Sequence, residues 1–158
     1  MSRSSPAPWQ RTFIESIGAF GETTGLPPSY LQVFAWLVVC DPPEQSVDQV
    51  RSALGLSSGA VSMAAATLIR AGLVERVSLP GDRRHFYRFR PGGWARMLEL
   101  RIEATRQIRV LAEETLARAP EAPDRLAEMR AIYAWFEEQM TELLATSPWT
   151  TTPRRSRR

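Results

Sequence analysis

The order of signals between Ser46 and Arg90 constrains this chain more than any other feature. Ser46 and Gln49 have the spacing of a capping box, in which each side chain satisfies a backbone donor that a helix start leaves open. The short helix that follows would bury Val47, Val50 and Leu54 and stop at Gly55. After a tight Gly55-Leu56 turn, Ser57 caps a second helix that ends at Gly72. Leu73 to Leu79, a Pro80-Gly81-Asp82 turn and His85 to Phe89 then read as a β-hairpin. A short helix, a sharp turn, a second helix and a basic hairpin is the layout that sets a helix into the DNA major groove. The expected fold is mostly α with a small β-hairpin wing: a winged helix-turn-helix with helical dimerisation arms.

Charge follows the same division. All 20 basic residues are arginine, and the net charge is +3. The balance is −2 over residues 1–45, +4 over 46–92, −3 over 93–150 and +4 over the tail 151–158. A basic module between acidic helices suits a partner that touches only the module, such as a phosphate backbone. A chance distribution on a small protein is the plain alternative.

The flanks read as helices. Ser5-Pro6 suits a cap and first-turn proline, and Trp9, Phe13, Ile17 and Phe20 then share one face before Gly25 and Pro27-Pro28. Ser29 to Cys40 is apolar on nearly all sides and belongs in the centre of a core. Trp94 to Ala119 can form a helix of about 39 Å at 1.5 Å per residue, and Asp124 can cap a last helix reaching Thr146. In that last helix Leu126, Met129, Tyr133, Phe136, Met140 and Leu143 alternate spacings of three and four, a seam for another helix. The C-terminal helices could fold on each other as a hairpin. Intertwining with a second subunit is preferred, because two-fold symmetric DNA readers need recognition helices held about 34 Å apart. The organisation expected is an N-terminal dimerisation helix (5–26), a winged helix-turn-helix DNA-binding domain (27–92), C-terminal dimerisation helices (93–147) and a disordered basic tail (148–158). The dimer contacts expected are Trp9 and Phe13 together with the six seam residues.

Gly55-Leu56-Ser57-Ser58-Gly59-Ala60-Val61-Ser62, followed by Leu68-Ile69-Arg70-Ala71-Gly72-Leu73-Val74, resembles the MarR family of bacterial repressors in its GbsR-like branch. Gly81-Asp82-Arg83-Arg84 is similar to that family's Asp-x-Arg wing signature. Trp36 to Pro42, and Arg83-Arg84 leading to Phe89-Arg90-Pro91, resemble most closely the mycobacterial repressors of membrane exporters. The resemblance implies a homodimeric repressor, joined through its first and last two helices and bound to a palindromic operator in double-stranded DNA. It also implies a small hydrophobic or aromatic effector, held between the dimerisation helices and the winged module, that releases the DNA. Phe13, Ile17, Phe20, Trp36, Trp94 and Leu98 are the expected pocket, although aromatics at helical spacing are more often core.

On the second helix, Val61, Ala65, Leu68 and Ile69 are expected to face inward. Ser58, Gly59, Ser62, Met63, Ala66 and Thr67 then face DNA, with Ser46 and Ser57 at the helix starts and Asp82, Arg83 and Arg84 in the wing. Hydroxyls can reach several base types and methyl groups can touch thymine. Arg70 is placed at the wrong end to read bases, which leaves no bidentate reader and shifts specificity toward DNA shape. A solvated helix face and a solvated charged turn are the alternatives for these sets.

Other chemistry finds little footing. One histidine, His85, and one cysteine, Cys40, give no metal spacing and no acid–base or nucleophilic constellation, so neither an enzyme nor a cofactor is expected. A lone cysteine fits a reducing cytosol. No apolar run approaches the roughly 20 residues of a membrane span and no signal peptide is visible, so a cytoplasmic protein without a membrane partner is expected. The competing function is a winged-helix module for protein interaction or DNA architecture, without sequence reading.

Overall fold

In the computed structural model, residues 5–119 and 121–148 are described, and they divide into two units, Met1–Arg90 and Pro91–Arg158. Apart from Pro148, the tail expected to be disordered lies outside the described residues.

The first unit is organised around the apolar helix. Helix α1 (Pro8–Thr24) packs on α2 (Pro28–Val39), which in turn touches α3 (Val47–Leu54) and α4 (Ser58–Arg70). Six residues of α2, from Leu31 to Leu37, are buried, as an all-round apolar helix requires. α1 starts later than Ser5-Pro6 suggests. Its cap is Ala7, whose N–H donates to Gln10 Oε1 at 2.7 Å, while Gln10 Nε2 donates to the Val39 carbonyl at 2.7 Å. One glutamine thus ties the start of α1 to the end of α2. The helices meet through Ile14, Gly18 and Gly21; a Cβ on Gly21 would stand 2.9 Å from Leu31 Cδ1. The aromatic face points elsewhere, with Trp9 62% and Phe20 54% exposed. α1 falls in the same compact unit as the winged elements.

The wing is a three-stranded antiparallel sheet in the order β1-β3-β2, with β1 Gln45–Ser46, β2 Val74–Ser78 and β3 His85–Phe89. β2 and β3 form the expected hairpin. β1 was not expected, because two polar residues carry no period-2 signal. It is nevertheless buried, and Gln45 Nε2 donates to the Pro42 carbonyl at 2.7 Å. The Phe34 and Phe89 rings meet edge-on at 5.9 Å, which seats α2 on the sheet.

The second unit is a helical hairpin of α5 (Gly93–Arg118) and α6 (Asp124–Thr146), packed on each other within the chain. The hairpin alternative therefore describes the packing of these two helices within one chain. Glu137 on α6 accepts from Arg106 Nε and Arg109 Nε of α5, each at 2.7 Å. Those two bonds hold its carboxyl below the usual range and raise both guanidinium values. The pairs are solvent-exposed to different degrees, so their role is mainly to fix the register of the hairpin. Pro123, not Asp124, occupies the N-cap of α6.

The seam on α6 is split by this packing. Leu126, Met129, Tyr133 and Met140 are half-buried in the hairpin, whereas Phe136 is 44% and Leu143 70% exposed. Ile132 at 55% and Trp135 at 61%, outside the expected seam, join them on an exposed apolar face. No residue of α6 is fully buried. Among the described residues no single helix is long and apolar enough to cross a membrane.

Candidate nucleic-acid interface

Local signals build this site. Ser46 Oγ accepts the Gln49 N–H at 3.3 Å and Gln49 Oε1 accepts the Ser46 N–H at 2.8 Å, so the capping box starts α3 as expected. Gly55, at φ 68°, makes the left-handed turn that a Cβ would strain. Ser57 Oγ then accepts the Ala60 N–H at 3.2 Å and starts α4. These bonds redefine two expected contact residues. Ser46 is 3% exposed and positions α3 instead of facing a ligand. Ser57 remains exposed, but its hydroxyl is committed to the cap.

α4 has two sides. Val61, Ala64, Ala65 and Leu68 are buried against the unit. Ile69, expected inward, is 37% exposed, because the core stripe at steps of three and four passes through Ala64 instead. Ser58, Gly59, Ser62, Met63, Ala66 and Thr67 are all exposed, Met63 at 75%. Small residues over the first turns leave backbone N–H groups accessible to phosphate. Arg70 is exposed too, and its Nη2 donates to Thr67 Oγ1 at 2.9 Å.

At the wing tip the two arginines differ. Asp82 Oδ1 accepts the Arg84 N–H at 2.9 Å and Nε at 3.0 Å, and Oδ2 accepts Arg84 Nη2 at 2.6 Å. The Arg84 guanidinium also stands 5.3 Å from the Phe86 ring centroid. These bonds lower the Asp82 carboxyl to about 2 and raise the Arg84 guanidinium. The pairing is therefore complete above the ordinary carboxylate range near 4 and is lost only as pH falls toward 2. Arg83 is exposed and has no ion-pair partner among the described residues.

The electrostatic outcome is one-sided. The acids Glu44, Asp48, Glu75 and Asp82 are all ion-paired, with Arg88, Arg51, Arg88 and Arg84 respectively. Arg70, Arg76, Arg83 and Arg90 form no such pairs among the described residues. The positive charge left uncompensated therefore belongs to α4, β2, the hairpin turn and the chain just beyond β3.

The expected pocket residues fall in both units. Phe13 and Ile17 are half-buried and Phe20 exposed on α1, while Trp36 is 4% exposed in the core of the first unit. Trp94 and Leu98 lie on α5 in the second unit, 53% and 41% exposed. Trp36 Nε1 is buried without an acceptor, an orphan donor of a kind that costs about 1–3 kcal/mol. No group of three or more potential metal ligands occurs among the described residues.

Cys40 illustrates how burial decides chemistry. Its thiol lies at the end of α2 near the Leu37 and Pro43 carbonyls, and burial pushes it up to about 12. It should alkylate at least about 100-fold more slowly than a free cysteine at pH 8, followed by mass spectrometry with iodoacetamide. A rate near that of free cysteine would show that burial does not suppress its thiolate.

The MarR family model matches residues 24–85, and that of MmpR5-like MarR family transcriptional regulators matches residues 92–146. The HTH-type transcriptional regulator MmpR5 of Mycobacterium tuberculosis is 36% identical over 136 residues, covering 84% of this chain and 82% of that protein. The chain belongs to the MarR family. Among solved structures, one described as a transcriptional regulator superposes with a TM-score of 0.77 at 35% identity, covering 87% of this chain and 97% of its own. This MarR-family chain thus shares sequence and fold with transcriptional regulators over most of its length, and its relatives named here are regulators rather than enzymes.

Proposed function

We propose that this MarR-family regulator is a cytoplasmic, homodimeric repressor that binds a palindromic operator and is released by a small hydrophobic or aromatic ligand. The observation that carries the DNA-binding part is the pairing of every acid from Glu44 to Asp82, which leaves Arg70, Arg76, Arg83 and Arg90 uncompensated beside an exposed recognition helix. Ser58, Gly59, Ser62, Met63, Ala66 and Thr67 would face the major groove, and the wing the minor groove or its flanking phosphates. Dimerisation is supported by the exposed apolar faces of α1 and α6. For the effector, the orphan indole N–H of Trp36 offers one buried donor to an acceptor atom. The segments 55–62 and 68–74 favour the GbsR-like branch within the family.

In the wing, Arg84 is tied back by Asp82, so Arg83 is the side chain free to extend while Arg84 holds the tip in shape. Removing a phosphate-contacting arginine weakens all sequences alike and lowers the salt slope by about one per contact, or about two in a symmetric dimer. Arg83→Ala should show this loss, and Arg83→Ala with Arg84→Ala should show it in full, in titrations of specific and scrambled duplexes at several salt concentrations. Unchanged affinity and slope in the double variant would leave a protein-interaction module in place of a DNA reader.

A further inference from the structure

The outer side of α4 contains a stripe at steps of four, three and four: Gly59, Met63, Ala66 and Arg70. It lies opposite the buried Val61, Ala64, Ala65 and Leu68. Arg70 is thus not displaced from the exposed face by its late position; it is the next member of that face after Ala66. In a helix the Cα–Cβ bonds tilt toward the N-terminus, so a long side chain covers the turn before its own. Arg70 does this. Its Nη2 donates to Thr67 Oγ1 at 2.9 Å, and Thr67 Oγ1 donates to the Met63 carbonyl at 3.0 Å.

We propose that Arg70 is the base-reading side chain of the recognition helix, donating a bidentate pair of hydrogen bonds to O6 and N7 of a guanine in each operator half-site. The inference rests on the DNA-reading function argued above and adds the residue and the base. A guanidinium has five N–H donors, and the bond to Thr67 uses one. The terminal fork retains one N–H on Nη2 and both on Nη1, the geometry that matches a guanine edge. Among the described residues no carboxylate pairs with it, in contrast to Arg84 and Arg88. Gly59 and Ala66 are too small to hold the helix away from the base edges, and Arg70 is the only long polar side chain on the stripe. Thr67 acts as a positioning residue. It holds the guanidinium back along the exposed side of the helix, over the turn before Arg70, and reduces the rotamer freedom lost on binding.

The test uses the full chain and duplexes selected by the wild-type protein from a random pool. Each guanine of the preferred sequence is replaced in turn by 7-deazaguanine, which lacks the N7 acceptor, and by the other bases. Wild type should lose about 5- to 150-fold in affinity when one symmetric G·C pair is changed to another base pair. The deaza substitution at that pair should also weaken wild type, by a smaller factor. Arg70→Ala should bind these duplexes equally, so that the effects of protein and base changes fail to add. Arg70→Lys keeps the charge and should not recover the preference. Thr67→Val should weaken the same preference and Thr67→Ser restore it, with thermal melts matching wild type because both positions are exposed. Uniform weakening of every duplex by Arg70→Ala, with a salt slope lower by about one per subunit, would identify a phosphate contact and overturn the proposal. An unchanged base preference would overturn it as well, with the regulator reading intact. If wild type itself selects no sequence from the pool, the DNA-reading function falls and the guanine assignment falls with it.

Discussion

Phe136→Glu combined with Leu143→Glu is expected to turn the proposed dimer into monomers and to weaken binding to the proposed operator at least about 100-fold. Both side chains are largely outside the intrachain hairpin, so the substitution places charge on a surface that the isolated subunit already exposes. The hairpin itself should remain helical by circular dichroism, because Ile102, Thr105 and Ala112 and the Glu137 clasp are untouched. Two buried aromatic or aliphatic anchors lost from an interface cost about 2 kcal/mol or more each where they lie at its centre. Operator affinity falls because one recognition helix must then bind without the partner held about 34 Å away. Sedimentation equilibrium and duplex titration on the same preparations check both effects. A variant that remains fully dimeric would remove this face of α6 from the interface.

Leu68→Ala is expected to destabilise the first unit by about 2–5 kcal/mol, measured by urea or thermal unfolding. Leu68 is 0% exposed on the inner side of the recognition helix, so truncation leaves a cavity instead of a solvated gap. Met63→Ala, only five residues earlier but 75% exposed, should change stability by no more than about 0.5 kcal/mol. The contrast tests the two-sidedness of α4 directly. Equal effects would mean that the helix is rotated relative to the arrangement described here.

What the sequence disclosed follows physical range. The caps at Ser46 and Ser57, the Gly55 turn and the hairpin strands were legible because each depends on residues within a few positions of one another. β1 was not, since its two residues become a strand only through pairing with Tyr87 and Phe86 far along the chain. Ser46 was given a binding role by its residue type, and only its 3% exposure shows that the capping box uses it up. The spacing of the heptad seam alone describes one surface. The α5 helix claims part of it, and the signal that could have warned of this was Glu137, an acid facing Arg106 and Arg109 across the hairpin. The contact of Arg70 with Thr67, one turn back, depends on the backward lean of a helical side chain, which position along the helix does not convey.

The clean division of α4 also bears on how regulators of this kind diversify. The residues that hold the helix in the unit are Val61, Ala64, Ala65 and Leu68, and none of them belongs to the stripe of Gly59, Met63, Ala66 and Arg70. Substitutions on the stripe alter what the helix can touch and leave the fold's stability nearly constant. After a gene duplication, two copies can therefore drift to different target sequences through single neutral-to-fold steps, without first acquiring compensating changes in the core.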